Sequence, residues 1–144
     1  MEKWIWFDMD GTIADLYGQD DWLEKLIAEN AEPYANARPL VNMNTLARIL
    51  NRLAGNGWHI GIVSWLSKGS SAEYEERVNN AKRKWLNKHL PSVQFARIDI
   101  IPYGIAKNNG RNGILFDDEE PNRKAWNGIA YNEVNIIARL RELQ

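Results

Sequence analysis

The chain has 144 residues, a formal net charge of −1, seven tryptophans and no cysteine. Its length favours a single domain spanning residues 1–144, and its 44% hydrophobic and 26% charged composition is that of a globular rather than a disordered protein. The lack of cysteine excludes disulfides, thiolate catalysis and a cysteine-based zinc site, and the balanced charge argues against a general nucleic-acid binder.

Neither a targeting signal nor a membrane segment is visible in the sequence. The first three residues run directly into an apolar stretch without a signal-peptide pattern, and no apolar run approaches about 18 residues. We therefore expect a cytoplasmic protein that makes no membrane contact.

Predicted strands and helices alternate along the chain, the pattern of an α/β fold with a parallel sheet. The first run, Trp4 to Phe7, is apolar without alternation, as in a strand buried on both faces. Further strands are predicted at 58–63, 93–98 and 114–116. Helices are predicted at 20–30, 39–55, 70–89 and 132–143.

Local signals set several of these boundaries. Pro33 is expected to close the first helix and Pro39 to open the second, while Ser70 resembles the start of a capping box for the third. In that third helix the charged residues, Lys82 among them, are expected to face solvent. The segment 14–37 is expected to hold a single short helix.

Two aspartates follow the first strand, in Asp8-Met9-Asp10-Gly11-Thr12. Because side chains alternate along extended chain, Asp8 and Asp10 should point to the same side, where one divalent ion and one phosphate could meet both. Such a pair could instead form a turn or helix cap, or the metal-binding pair of a nucleotide-sugar glycosyltransferase. The buried strand before it and the Gly-Thr after it favour phosphoryl transfer.

A second acidic pair, Asp117-Asp118, follows the strand at 114–116. Carboxyl ends of parallel strands meet at one edge of a sheet, so the two acidic pairs are expected to form one Mg²⁺ site from Asp8, Asp10 (through its backbone carbonyl) and Asp117 or Asp118. Without the first motif, the second pair would equally suit a simple cap.

Two polar residues are expected to bind phosphate. Ser64 ends the strand at 58–63, and Lys107 lies in the loop before Asp117, where an ammonium would neutralise phosphate and carboxylates. The alternatives are a strand-end hydroxyl without function for Ser64, and Lys68 or Arg111 in place of Lys107.

These four sequence features, in this order, resemble the motifs of the haloacid dehalogenase-like (HAD) phosphohydrolases. The match comprises Asp8-Met9-Asp10-Gly11-Thr12, the apolar strand that ends in Ser64, Lys107, and the strand that ends in Asp117-Asp118. The resemblance implies a Rossmann-like, doubly wound parallel sheet and a Mg²⁺-dependent phosphomonoesterase. It also implies that Asp8 is the nucleophile, forming an aspartyl-phosphate, and that Asp10 is the general acid and base.

The substrate is less well defined by the sequence. Segment 14–37 leaves room only for a minimal cap, which predicts an open cleft, and Trp65, Tyr17 and Trp22 are candidates for stacking on a base. These features are similar to the 5′-nucleotidase and deoxyribonucleotidase branch and favour a small phosphorylated substrate such as a nucleoside monophosphate. A phosphatase for nucleic-acid ends and a non-catalytic phosphate-binding module are the alternatives, and the oligomeric state stays open.

Overall fold

A computed structural model describes residues 2–144. The strands are β1 Lys3–Phe7, β2 Ala14–Asp15, β3 Arg38–Pro39, β4 Trp58–Trp65, β5 Arg97–Ile101, β6 Gly113–Phe116 and β7 Gly128–Tyr131. The helices are α1 Trp22–Ile27, α2 Glu32–Asn36, α3 Met43–Gly55, α4 Ala72–His89, α5 Glu120–Ala125 and α6 Ile136–Arg141.

Five parallel strands form the main sheet in the order β5-β4-β1-β6-β7. Phe7 at the end of β1 is in register with Ile62 of β4 on one side and Phe116 of β6 on the other. This arrangement confirms the predicted Rossmann-like α/β fold. The chain builds the β4 side first and then the β6 side, so the strand order reverses beside β1, and ligand crevices in such sheets lie at that reversal.

The central strand is buried on both faces, as its unbroken apolar run predicts. Ile5 and Phe7 join the larger core with Leu50 of α3 and Leu140 of α6, whereas Trp6 packs on the opposite face with Leu115. The Trp6 indole also donates a hydrogen bond to the Asn112 carbonyl at 3.0 Å. Complete burial of such side chains stabilises the fold by about 1.5–3 kcal/mol each, which holds the carboxyl end of β1 firmly in place.

The segment between β1 and α3 departs from the prediction of a single short helix. It contains α1 and α2 together with β2 and β3, which pair antiparallel. Pro33 lies in the first turn of α2, where its missing N–H has no helical partner to lose, so it begins a helix instead of closing one.

Two predicted helix starts were also wrong. Pro39 is paired with Ala14 in the small sheet, and α3 begins after Asn42, whose side chain accepts a hydrogen bond from the Thr45 N–H at 3.0 Å. The cap of α4 is Ser71, which accepts from the Tyr74 N–H at 3.2 Å, and not Ser70.

In the C-terminal half, several short strands and helices lie at positions other than those predicted from the sequence. The third strand of the main sheet lies at 97–101 instead of 93–98, and the last helix covers only 136–141. Neither α5 nor the edge strand β7 was predicted. Both are short and have few fully buried residues, so neither carries a clear periodic pattern.

Among residues 2–144, no helix combines the length and the apolar character that crossing a bilayer requires.

Candidate active site

Asp8 and Asp10 lie directly beyond the end of β1, on a loop held by backbone hydrogen bonds. The Asp8 N–H donates to the Phe116 carbonyl at 2.9 Å, and the Gly11 N–H donates to the Ala14 carbonyl at 2.8 Å. Gly11 has φ = 81°, and a Cβ there would collide with the carboxylate of Asp118 and the ring of Tyr17. The glycine therefore lets the loop turn closely past the second acidic pair.

Lys107 reaches into the centre of this cluster. Its Nζ donates to Asp8 Oδ1 at 2.8 Å and to Asp117 Oδ2 at 2.7 Å, and the residue is only 5% exposed. Burial alone would lower the pKa of Lys107, but the charges of Asp8 and Asp117 outweigh it and raise that pKa well above its ordinary value. A permanent positive charge is thus fixed beside Asp8.

Asp117 and Asp118 complete the acidic cluster from the end of β6. Asp117 is fully buried and accepts hydrogen bonds from the Glu119 N–H and from the Asn122 side chain. Burial and the neighbouring charge of Asp8 raise the pKa of Asp117 to about 6 and that of Asp118 to about 8. One lysine does not offset three crowded carboxylates.

Thr12, which is fully buried, links the two acidic pairs. Its Oγ1 lies 2.9 Å from Asp8 Oδ2 and 3.3 Å from Asp118 Oδ1, and it accepts a hydrogen bond from the Asp118 N–H at 3.1 Å. The threonine of the first motif thereby fixes the distance between the ends of β1 and β6.

The acidic cluster has the composition of a site for a hard divalent cation. Carboxylate oxygens of Asp8, Asp117 and Asp118 lie within 4.8 Å of one another. Oxygen donors in this number suit Mg²⁺, which retains several waters. The Asp10 side chain lies outside this set.

The Asp10 carboxylate instead forms an ion pair with Lys82, at 2.8 Å from Asp10 Oδ2 to Lys82 Nζ. The same Nζ lies 2.7 Å from Ser64 Oγ and 2.7 Å from the Trp65 carbonyl. Burial raises the pKa of Asp10, against the opposing effect of the Lys82 charge.

The prediction that Lys82 faces solvent was wrong, since the residue is 1% exposed. It lies four residues after Val78 and three before Trp85, on the buried face of α4. This spacing was a signal in the sequence, but a lysine among many charged residues is normally solvated. Lys82 was therefore not among the site residues predicted from the sequence.

Above the carboxylates lies a cleft of about 500 Å³ whose lining includes Asp8, Asp10 and Lys107. Tyr17 and Trp22 form one wall, with ring centroids 4.9 Å apart, and Trp65 and Tyr103 form another, with centroids 5.0 Å apart. The three aromatic residues predicted from the sequence therefore line this cleft, joined by Tyr103. Lys68 lies 5.8 Å from the centre of the Tyr103 ring.

The segment carrying α1 and α2 borders the cleft and is attached to the start of α4. Glu29 accepts hydrogen bonds from the Ser71 N–H at 3.0 Å and the Ser71 hydroxyl at 2.7 Å, and the Tyr74 hydroxyl donates to the Asn30 carbonyl at 2.9 Å. Leu23 and Ile27 of α1 also line the cleft, although much of their surface is exposed.

Neither a protein-family model nor a curated protein matches the sequence. Among solved structures, the chain is similar to D,D-heptose 1,7-bisphosphate phosphatase from Burkholderia thailandensis, with 12% identity and a TM-score of 0.54 over 99% of this chain and 98% of that one. A second similar structure is D,D-heptose 1,7-bisphosphate phosphatase from B. bronchiseptica in complex with magnesium and phosphate, with 12% identity and a TM-score of 0.50 over 85% of this chain and 74% of that one.

At 12% identity these similarities show a shared fold. They agree with the α/β architecture of the parallel sheet described above.

Proposed function

We propose that this protein is a Mg²⁺-dependent phosphomonoesterase that works through an aspartyl-phosphate on Asp8. The observation that carries the proposal is the position of Asp8, held by Lys107 beside Asp117 and Asp118 and facing the cleft. The fold shared with two phosphatases, one of them bound to magnesium and phosphate, supports the same class.

In the first step, a carboxylate oxygen of Asp8 attacks phosphorus. A bond forms between that oxygen and phosphorus while the bond from phosphorus to the substrate oxygen breaks, and Asp10 gives its proton to the departing oxygen. The products of this step are an alcohol and phosphorylated Asp8.

In the second step, Asp10, now a carboxylate, takes a proton from water as the water oxygen attacks phosphorus. The bond from phosphorus to Asp8 breaks, inorganic phosphate leaves, and Asp8 and Asp10 return to their starting states. The net reaction consumes one water and one phosphomonoester and yields an alcohol and phosphate.

The remaining residues bind charge in this scheme. Lys107 and the hydroxyl of Ser64 would hold phosphate oxygens, and Asp8, Asp117, Asp118 and the backbone carbonyl of Asp10 would hold Mg²⁺. When bound, the cation supplies Lewis-acid stabilisation of charge on the transferring phosphoryl group.

The cleft supports a substrate with a planar group, such as a nucleoside monophosphate. Its two aromatic walls offer flat apolar surfaces to a ring, and such stacking contributes about 0.5–1.5 kcal/mol beyond area burial. Lys68 and Lys107 are the basic residues of the lining, and Lys107 is already paired with two carboxylates. Among residues 2–144, Lys68 is thus the one unpaired lysine of the lining that could bind the second phosphate of a bisphosphate substrate.

A phosphatase screen with and without Mg²⁺ tests the proposal. The panel should contain mononucleotides, sugar phosphates and bisphosphates, and oligonucleotides with a 3′- or 5′-phosphate. We expect phosphate release that requires Mg²⁺, is highest for mononucleotides and is abolished by Asp8→Asn. Asp20→Asn, which changes an exposed aspartate outside the cleft, is the matched control and should retain activity.

The screen also separates the alternatives. Preference for phosphorylated oligonucleotides would favour a nucleic-acid-end phosphatase, and preference for sugar phosphates would overturn the nucleotide assignment only. Binding of phosphate without turnover of any substrate would overturn the enzyme assignment.

A further inference from the structure

Lys82 is a buried charged residue that has no part in the two reaction steps proposed above. It is carried by the middle of α4, and its ammonium lies beneath the cleft between the ends of β1 and β4. Placing an ammonium in a protein interior is costly unless it is paired and hydrogen-bonded. The hydrogen-bond partners of Lys82 should therefore indicate its role.

An ammonium has three protons, and each of them has an acceptor here. The acceptors are Asp10 Oδ2 at 2.8 Å, Ser64 Oγ at 2.7 Å and the Trp65 carbonyl at 2.7 Å. The ring of Tyr34, from α2, lies 5.0 Å from the same nitrogen and the lysine is 1% exposed. No proton is left for a substrate, so Lys82 cannot serve as a phosphate ligand in this arrangement.

The contact with Ser64 has a directional consequence. Because the serine oxygen accepts a hydrogen bond from Lys82, its own proton is free to be donated elsewhere. The hydroxyl is thereby set as a donor, the form in which it can bind a phosphate oxygen.

The contact with Asp10 has a similar consequence. Lys82 holds Oδ2, which leaves Oδ1 as the oxygen that exchanges a proton with the substrate oxygen or with water. A general acid must lie within hydrogen-bond reach of the atom it protonates, so fixing one carboxylate oxygen fixes the position of the other.

We infer that Lys82 is a positioning residue that simultaneously orients the acid/base Asp10 and the phosphate-binding hydroxyl of Ser64. It acts through these two side chains and does not contact the substrate. This inference rests on the proposed function, because it assigns Lys82 a role in the same reaction.

The test is the dependence of kcat/KM on the leaving group. A p-nitrophenolate ion leaves without needing a proton, whereas the more basic phenolate requires the general acid. General acid catalysis contributes about 10²–10⁴-fold, so Lys82→Met should lower kcat/KM for phenyl phosphate at least about tenfold more than for p-nitrophenyl phosphate. Lys84→Met, an exposed lysine two positions along the same helix, is the control and should leave both values unchanged.

A double-variant comparison removes the effect of folding. In an Asp10→Asn background the buried carboxylate charge is gone, so adding Lys82→Met should change the ratio between the two substrates by less than about twofold. This comparison also serves if Lys82→Met alone does not fold, because the double variant loses both members of the ion pair together.

The outcomes separate the two proposals. Equal losses on both substrates in Lys82→Met, or a further tenfold change in the ratio when it is added to Asp10→Asn, would overturn the positioning role while leaving the phosphatase assignment intact. An inactive natural sequence would overturn the phosphatase assignment and this role with it.

Discussion

Lys107 and Lys82 divide the buried positive charge of the site between the two aspartates of the first motif. Lys107 pairs with Asp8 and Asp117, and Lys82 pairs with Asp10. The two aspartates therefore have different surroundings, although they are only two positions apart. Different surroundings are what a nucleophile and an acid/base require of two identical side chains.

Because the carboxylates of the cluster are crowded, we expect the free energy of unfolding of the metal-free protein to fall as the pH rises. The pKa values of Asp117 and Asp118 are raised to about 6 and about 8, so between their ordinary values and these the folded state binds more protons than the unfolded state. Stability from these groups is then greatest below the unfolded pKa and is lost as the pH rises through 6 and 8.

Thermal unfolding measured from pH 5 to pH 9 checks this expectation. The Tm without Mg²⁺ should fall across that range, and Mg²⁺ should raise it more at pH 8.5 than at pH 6, since ligands must be deprotonated to bind. Asp118→Asn should flatten the upper part of the metal-free curve. A metal-free Tm that rises with pH would contradict the description of the cluster.

Tyr103 allows the aromatic wall to be tested away from the catalytic groups. It is half exposed and its ring packs at a tilt against the ring of Trp65, so Tyr103→Ala should raise KM for a nucleoside monophosphate about fivefold, corresponding to about 1 kcal/mol, with kcat little changed.

The control is Tyr103→Phe, which keeps the ring and should keep the KM. A small aliphatic phosphate, which cannot stack, should be insensitive to both substitutions. If Tyr103→Ala impaired all substrates equally, the wall would have no role in selecting a planar group.

The positions of candidate site residues were predictable where a polar side chain stands at the end of an apolar strand. Asp8 and Asp117 directly follow apolar strands, and Ser64 is the second-last residue of one, so the sequence shows both the strand and the polar residue. The structure brings all three to one edge of the sheet. Lys82 was missed because its role depends on which side of α4 faces β4. A lysine at that position reads as solvated until the tertiary packing is known.

At the level of elements, the start of α4 is hydrogen-bonded to the segment that carries α1 and α2. Ser71 both caps the helix and binds Glu29, which lies between α1 and α2. Loss of an N-cap serine destabilises a protein by about 0.5–2 kcal/mol.

We therefore expect Ser71→Ala to lower the free energy of unfolding in urea by about 1–2 kcal/mol. Ser70→Ala is the matched control, because the Ser70 hydroxyl bonds only locally to the Ser67 carbonyl, and it should cost less than about 0.5 kcal/mol. The reverse order of the two effects would place the cap at the position that the sequence alone suggested.

Buried strands were predicted more accurately than exposed or short elements. β1, β4 and β6 lie in the middle of the sheet and carry long or unbroken apolar runs, so their positions were predicted closely. β7 is an edge strand with exposed residues, and α2 and α5 each have a proline in the first turn, which serves equally well as a stop or a start signal.

At the level of the whole molecule, charge bears on the choice between small and macromolecular substrates. The net charge is −1, and the cleft lining contains two lysines, one of them paired with carboxylates. A substrate that spans many phosphates would need more cationic contacts than this.

Raising the salt concentration from 50 to 200 mM should therefore change kcat/KM for a mononucleotide by less than about threefold, whereas a protein with six to ten phosphate contacts would lose about 10³–10⁵ in affinity. The measurement needs only steady-state kinetics at constant free Mg²⁺. A steep loss with salt for oligonucleotide substrates, combined with higher activity on them, would favour the nucleic-acid alternative.

In the proposed reaction, Asp8 carries the phosphoryl group between the two steps. Acid-quenching of Asp10→Asn after mixing with p-nitrophenyl phosphate and Mg²⁺, followed by mass spectrometry of the intact protein and its peptides, would detect this intermediate. Since this substrate leaves without a proton but hydrolysis of the intermediate still needs a base, one phosphoryl group should accumulate on the peptide that contains Asp8. Release of phosphate by the natural sequence with no phosphorylated Asp8 at any quench time would contradict the nucleophilic role of Asp8.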